Sequence, residues 1–348
     1  MTYIRQCVCL CVTTALLFSC GRSGKPNGTA LHIETPLGLP RAEMPSENQP
    51  TVETVALGRK LFYETKLSAD GSVSCASCHD PAAGFADPRR VSVGVGGKLG
   101  TRNAPSILNA AYSPVQFWDG RAKTLEEQAG GPIENPIEMN MPHDACLAKL
   151  GSNSTYVKLF ETTFGPAPIS MEMVGKAIAS FERTLLSGNS PFDRYFFGGD
   201  LKAISPAAIR GLEIFNNAKK GNCSVCHKIG EQNAPFTDGK FHNIGVGIGT
   251  DGELTDLGRY EQTKDERDKG AFKTPTLRNI AKTGPYMHDG RQATLKEVVD
   301  FYVGGGTSNQ YLDKEIKELK LSGQERADLV AFMETLTGVM PANSGPPK

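Results

Sequence analysis

Two pentapeptides in this sequence bring reactive side chains together at a fixed spacing: Cys75-Ala76-Ser77-Cys78-His79 and Cys223-Ser224-Val225-Cys226-His227. In each, two thiols stand about one helical turn apart and a histidine follows directly. Thiols so spaced can form thioethers with the two vinyl groups of one porphyrin, and the histidine then faces the iron as an axial ligand. The rival chemistry is a zinc or dithiol redox site. Both motifs are completed by histidine and neither has a second cysteine pair nearby, which argues against zinc. The sequence therefore predicts two covalently attached haem c groups, with His79 and His227 as ligands to iron 1 and iron 2.

Of the other five cysteines, Cys7, Cys9, Cys11 and Cys20 belong to export. Arg5 precedes a short apolar stretch, Cys7 to Leu17, which is too short to span a bilayer. Leu17-Phe18-Ser19-Cys20 then has the pattern of a lipoprotein cleavage site, which would leave a lipid on Cys20. A plain signal peptide cut nearby is the alternative, and either one exports the chain. The expected product is periplasmic, held to the membrane only through Cys20. Residues 1–19 are the signal and 20–50, rich in Gly, Pro, Ser and Asn, read as a flexible tether. Cys146 reads as a buried, inert thiol.

The elements that position the motifs follow from apolar spacing. Helical patterns begin at Thr54 and recur over 123–130, 153–164, 171–187, 206–219, 294–302 and 322–337. Ser205-Pro206 opens one with a capping residue and a proline at the first helical position. Long Gly- and Pro-rich loops, 80–117 and 228–292, need something to wrap, and a haem supplies it. The order helix, Cys-x-x-Cys-His, long loop, short aromatic motif, helix occurs twice. Phe117-Trp118-Asp119-Gly120-Arg121 precedes Thr124, and Tyr286-Met287-His288-Asp289-Gly290-Arg291 precedes Thr294. The fold class is mainly α: two cytochrome c-type domains, 51–200 and 201–340, each around one haem, and a tail at 341–348. With 38 basic and 38 acidic residues the formal charge is zero, and no nucleic-acid footprint is present.

Two haems alone describe many electron carriers; catalysis needs an open iron position and an acid–base group beside it. Here the chain resembles the bacterial di-haem cytochrome c peroxidases and their MauG-type relatives. The resemblance is carried by Val73 to His79, Arg102-Asn103-Ala104-Pro105-Ser106, Gln116 to Arg121, Gly131-Pro132-Ile133 with Ile137 to Asn140, Lys273 to Asn279 and Pro285 to Gly290. It covers about residues 51–340. It implies that the N-terminal haem reacts with hydrogen peroxide and the C-terminal haem relays electrons from a small c-type cytochrome. It maps the distal acid–base glutamate to Glu138, with Gln128 beside it, and an aromatic electron relay to Trp118. It implies a calcium ion held by Asn103 and the backbone carbonyls of Thr283 and Pro285, and often a homodimer. By residue type alone, Glu138 reads as a surface carboxylate and Trp118 as a core residue. Arg121, Arg259 and Arg278 offer either propionate partners or structural ion pairs.

Two departures from that pattern bear on mechanism. Members that need reductive activation carry a histidine in the loop before Arg-Asn-x-Pro; here Val95 stands at its place, so the first iron is expected to be open, or to hold water, when oxidised. The position of the distal ligand to iron 2, methionine in most peroxidases, is Tyr302, as in the MauG-type branch. Met287 and His288 compete for that role on residue type, and a core tyrosine is the alternative for Tyr302. Three functions follow for testing: a peroxidase, a MauG-type oxidase acting on a partner protein or peptide, and a di-haem carrier without catalysis.

Overall fold

Helices begin where capping residues meet amphipathic runs. The computed structural model describes residues 24–249 and 251–347; the expected signal segment and Cys20 lie outside them. Ten α-helices are formed among the described residues. Thr51 caps α1 (Val52–Phe62) and Thr124 caps α2 (Leu125–Glu134). After α3 (His143–Gly151), Asn153 caps α4 (Ser154–Phe164) and Ser170 caps α5 (Met171–Glu182). Ser190 and Ser205 open α6 (Pro191–Phe196) and α7 (Pro206–Asn216), each with proline in the first turn. A short α8 (Tyr260–Thr263) precedes α9 (Leu295–Val303), capped by Thr294, and α10 (Gly323–Glu334), capped by Ser322. In each capped case a side-chain oxygen accepts a backbone N–H that the first turn leaves free. The only sheet among the described residues pairs β1 (Phe241–His242) with β2 (Phe272–Lys273), antiparallel.

The helices form two cores of the same plan. Leu57, Phe62, Ile133, Phe160, Ile178 and Phe181 belong to the first; Phe192, Phe215, Phe236, Leu295, Val299 and Phe332 belong to the second. In the first core α1 crosses α5 at Gly58, where a Cβ would lie 1.8 Å from the Ala177 carbonyl oxygen. In the second α7 crosses α10 at Gly211, where a Cβ would lie 2.0 Å from the Asp328 carbonyl oxygen. Only glycine permits either approach. The fold is mainly helical with little sheet, as the sequence predicts.

Three expectations need correction. Residues 24–50 are not a loose tether: Asn48 and Leu39 are buried, Ala30 bridges Thr51, and the Gly38 carbonyl accepts from Arg278 and from the Ala234 N–H. An extended Pro-rich segment keeps its backbone acceptors free, and these dock it across both cores. The expected tail is also anchored, since Arg59 donates to the Gly345 carbonyl and Tyr63 to the Ser344 carbonyl. Finally, α6 lies inside the range expected for the first domain, yet its Phe192 packs in the second core. Helices α3 and α6 themselves were not anticipated from apolar spacing.

Candidate functional site

Both pentapeptides fold alike. Cys75–Ser77 and Cys223–Val225 each form a single 3₁₀ turn. The N–H of His79 donates to the Cys75 carbonyl and that of His227 to the Cys223 carbonyl, both at 2.9 Å. Each imidazole then turns Nδ1 to the carbonyl of a phenylalanine with positive φ: His79 to Phe85 (3.2 Å, φ 58°) and His227 to Phe236 (2.9 Å, φ 52°). That pairing puts the proton on Nδ1 and leaves Nε2 as a lone pair, the form a metal takes. Burial lowers both imidazole pKa values, which also favours the neutral ring. All four thiols are free of disulfides.

The two motifs share one cavity of about 820 Å³. Cys75, Cys78 and His79 line one end, and Cys223, Cys226, His227 and Tyr302 line the other. Gln128, Pro132 and Glu138 also line it, and Trp118 lies on its wall. Unpaired thiols, metal-ready imidazoles and an apolar chamber fit a covalent haem in each half.

Glu138 follows α2 in a tight turn. Its N–H donates to the Asn135 carbonyl, and its Oε1 accepts from Asn135 Nδ2 at 2.6 Å. Burial raises its pKa above the ordinary carboxylate value, against the Arg121 charge and the Asn135 hydrogen bond. The Val95 loop braces this turn from outside: Val95 N–H donates to the Glu138 carbonyl at 2.8 Å, and a Cβ on Gly94 would lie 2.2 Å from the Ile137 carbonyl oxygen. Arg121 stacks 3.4 Å over the Phe117 ring and pairs with Asp119 at 3.1 Å.

Laying Trp118 on His288 and Thr124 on Thr294 pairs Pro132 of α2 with Tyr302 of α9. The cavity-facing position thus carries proline in the first half, with no atom able to bind iron, and a phenol in the second. Burial, then the charges of Cys223 and Cys226, push the Tyr302 pKa up, and the three residues line the cavity together. Of its competitors, His288 lies buried with its ring stacked on Phe272 at 3.6 Å, edge-on to Trp118 at 6.5 Å. Burial brings the His288 pKa down to about 4, so it is a neutral packing group between the halves. Met287 lines the cavity at φ 68°, the turn position that Phe117 holds in the first half at φ 65°.

Trp118 is tied down by Nε1 donating to the Asn103 carbonyl at 2.8 Å, and its own carbonyl accepts from Lys273 N–H at 2.8 Å. Asn103 Nδ2 donates to the carbonyls of Asp87 and Arg89, leaving Oδ1 without a donor among the described residues. Thr283 and Pro285 line the same cavity.

The geometry can be set beside known proteins. A family model described as di-haem cytochrome c peroxidase matches residues 52–201, and a cytochrome c model matches 208–337. Methylamine utilization protein MauG of Methylorubrum extorquens is 43% identical over 84% of this chain and 80% of that protein. The chain belongs to the di-haem cytochrome c peroxidase family. Cytochrome-c peroxidase IdrP1 of Denitromonas iodatirespirans is 38% identical over 90% of this chain and 89% of its own length. The crystal structure of a MauG-like protein associated with microbial copper homeostasis has a TM-score of 0.80 at 33% identity, covering 89% of this chain and 96% of that one. As a family member this chain is an oxidoreductase acting on peroxide, and the family implies two c-type haems.

Some groups at the site carry signals too weak to read from sequence. Lys273 lines the cavity with Nζ 2.6 Å from Ser113 Oγ, and burial brings its pKa down to about 8. Glu182 lines the cavity from the end of α5. In sequence each is one charged residue among many. Arg278, offered above as a propionate partner, is instead a buried structural cation on Asp193, at 2.8 and 2.9 Å. Arg259 donates to the carbonyls of Asp119 and Gly120. Cys226 Sγ, an Asp238 oxygen and a His242 nitrogen lie within 4.8 Å of one another, the spacing of a metal site. Yet His242 spends Nδ1 on Asp313 at 2.5 Å and Nε2 on Asp238 at 3.0 Å, and a thioether to haem would occupy the sulfur. The cluster is an ion-pair clamp.

Proposed function

We propose that this protein reduces hydrogen peroxide to water at its N-terminal haem with electrons that enter through its C-terminal haem from a small c-type cytochrome. The carrying observation is the contrast between the two cavity ends: Pro132, Gln128 and Glu138 at one, Tyr302 at the other. When bound, a haem at the first end supplies iron with a coordination position for peroxide. With the haem bound, Glu138 would take a proton from one peroxide oxygen and deliver it to the other, so that water can leave as the O–O bond breaks. Gln128 orients the peroxide, and Asn135 holds the Glu138 carboxylate in place. Val95 offers iron no ligand, so this site needs no prior reduction to open. Trp118, hydrogen-bonded between the halves, relays electrons. Asn103 Oδ1 with the Thr283 and Pro285 carbonyls holds calcium, hard neutral oxygens suited to that ion. The protein works in the periplasm, lipid-anchored at Cys20, and the family's frequent dimer applies.

One observation favours a second reading. As a ligand, the Tyr302 phenol would be a hard anionic oxygen that lowers the potential of iron 2, which suits a MauG-type oxidase that stores two oxidising equivalents and spends them on a partner protein or peptide. Adding one equivalent of peroxide to the oxidised protein and then reduced cytochrome c separates the readings. Fast cytochrome oxidation is the expected result. A long-lived oxidised state that ignores cytochrome supports the oxidase, and no spectral response to peroxide leaves only an electron carrier.

A further inference from the structure

A second carboxyl group, Glu182, stands in the wall of the cavity on the Cys75 side. It is 4% exposed. No donor among the described residues reaches its carboxyl group, and Oε2 is fully enclosed without a partner. The adjacent cation is committed elsewhere: Arg183 gives Nη1 and Nη2 to Glu126 at 2.6 and 3.0 Å. On α1, which packs against α5, Leu57 and Leu61 are buried in the first core, while Arg59 reaches the Gly345 carbonyl and Lys60 lies over the Tyr156 ring. From α2 the facing charge is Glu126, itself negative, and Glu138 lies elsewhere on the same cavity wall. Glu182 also closes α5, where the helix dipole is negative. Glu182 and Cys75 line the same cavity, and after burial itself Glu182 is the foremost charge raising the Cys75 thiol.

An ionised carboxylate in this position would have no hydrogen bond, and the Arg183 charge that favours it is shared with Glu126, itself a negative neighbour, whereas the neutral acid carries little of that burial cost. Burial accordingly raises its pKa to about 8. We propose that Glu182 is the proton store of the N-terminal site: it keeps its proton while that haem is reduced and releases it when the haem is oxidised, so electron arrival and proton supply are linked. Peroxide reduction, H₂O₂ + 2 e⁻ + 2 H⁺ → 2 H₂O, consumes two protons beyond those peroxide brings. Glu138 only moves a proton already on the peroxide. Electrons come from the donor cytochrome; Glu182 takes one proton from solvent as an electron arrives and yields it when peroxide oxidises that haem. The purpose of the device rests on the peroxidase reading, but its test uses no peroxide.

The test is redox titration of the two-haem protein between pH 6 and 9, with each haem followed by its own spectroscopic signature. The potential of the N-terminal haem is expected to fall with rising pH near pH 8, with a slope approaching the 59 mV that a tenfold change represents for one electron. Glu182→Gln keeps the shape and the neutral state and should flatten that slope, leaving the C-terminal haem unchanged; Glu138→Gln should keep it. A protonated-carboxyl C=O band in the reduced-minus-oxidised infrared spectrum should vanish in Glu182→Gln. A flat wild-type potential, a slope retained in Glu182→Gln, or a slope lost only in Glu138→Gln overturns the proposal. Should Glu182→Gln fail to load haem, the wild-type infrared spectrum decides, since absence of a redox-linked carboxyl band overturns it alone. Failure of the peroxidase reading shows separately, as a peroxide-oxidised protein that ignores reduced cytochrome c.

Discussion

The two halves of this molecule share a scaffold and differ where an iron would be approached. Each places a histidine against the carbonyl of a positive-φ phenylalanine, crosses two helices at a glycine, and starts a helix with a threonine after an Asp-Gly-Arg turn. They part along the cavity faces of α2 and α9. The first half shows the cavity Gln128 and Pro132 and follows its helix with the Glu138 turn; the second shows Val298 and Tyr302 and has no carboxylate at that place. Between α2 and α5 the first half also inserts α3 and α4. On the proposed function one binding plan serves two tasks, and the choice between reaction and conduction rests on a few side chains along one helix and the turn that follows it.

The most direct way to break this comparison is Glu138→Gln. Both haems should remain bound, while the peroxide step slows by about 10²–10⁴-fold, the usual contribution of a positioned acid–base group. Because burial raises the Glu138 pKa and the group must be ionised to accept a proton, the rate should fall with decreasing pH on a limb above the ordinary carboxylate range. That limb should be absent in the variant. Stopped-flow measurement of the peroxide reaction across pH reads both effects; a wild-type rate in the variant removes Glu138 from the mechanism.

Tyr302→Phe should make the second half resemble the first. Without the phenol oxygen, the C-terminal haem is expected to gain a vacant position, add a second high-spin ferric signal in electron paramagnetic resonance and bind cyanide. A spectrum unchanged from wild type would show that Tyr302 is a packing residue. Wild type itself should show a high-spin signal from the N-terminal haem, since Val95 offers no ligand.

A third test concerns stability. Laying the halves over each other pairs Arg278 with Leu108, and both are buried. Arg278→Ala leaves Asp193 buried and unpaired, costing about 3–5 kcal/mol, whereas Leu108→Ala leaves a void costing about 2–5 kcal/mol. Denaturant unfolding monitored by each haem's absorbance should show Arg278→Ala weakening the C-terminal half first. Its Gly38 contact should also free the segment at 24–50 for proteolysis.

What the sequence made legible follows from locality. The Cys-x-x-Cys-His motifs, the Thr124, Ser205 and Thr294 helix starts and the internal repeat are set by neighbouring residues, and spacing reveals them. Glu138 and Tyr302 were reached through resemblance, since a glutamate near prolines or a tyrosine on an amphipathic helix carries no local mark. Glu182 and Lys273 escaped because their chemistry depends on burial by distant segments. Residues 24–50 misled for the opposite reason: their composition is that of a free linker, but their backbone carbonyls are taken by Arg278 and Ala234, far along the chain.

The smallest effect tests whether the shared scaffold is energetically as well as geometrically equal. Thr124 accepts from Glu127 N–H at 3.1 Å and Thr294 from Glu297 N–H at 3.2 Å. Each glutamate reaches back, to Lys123 N–H and Ala293 N–H, both at 2.7 Å. These reciprocal bonds fix the starts of α2 and α9, the helices whose cavity faces distinguish the halves. Thr124→Ala and Thr294→Ala should each cost about 1 kcal/mol. Measured by denaturant unfolding, equal losses would mean that the divergence at Pro132 and Tyr302 was built without altering the supports beneath. A clearly larger loss at Thr124 would mean that α2, with Pro132 inside it and no iron ligand to anchor it, leans more heavily on its cap.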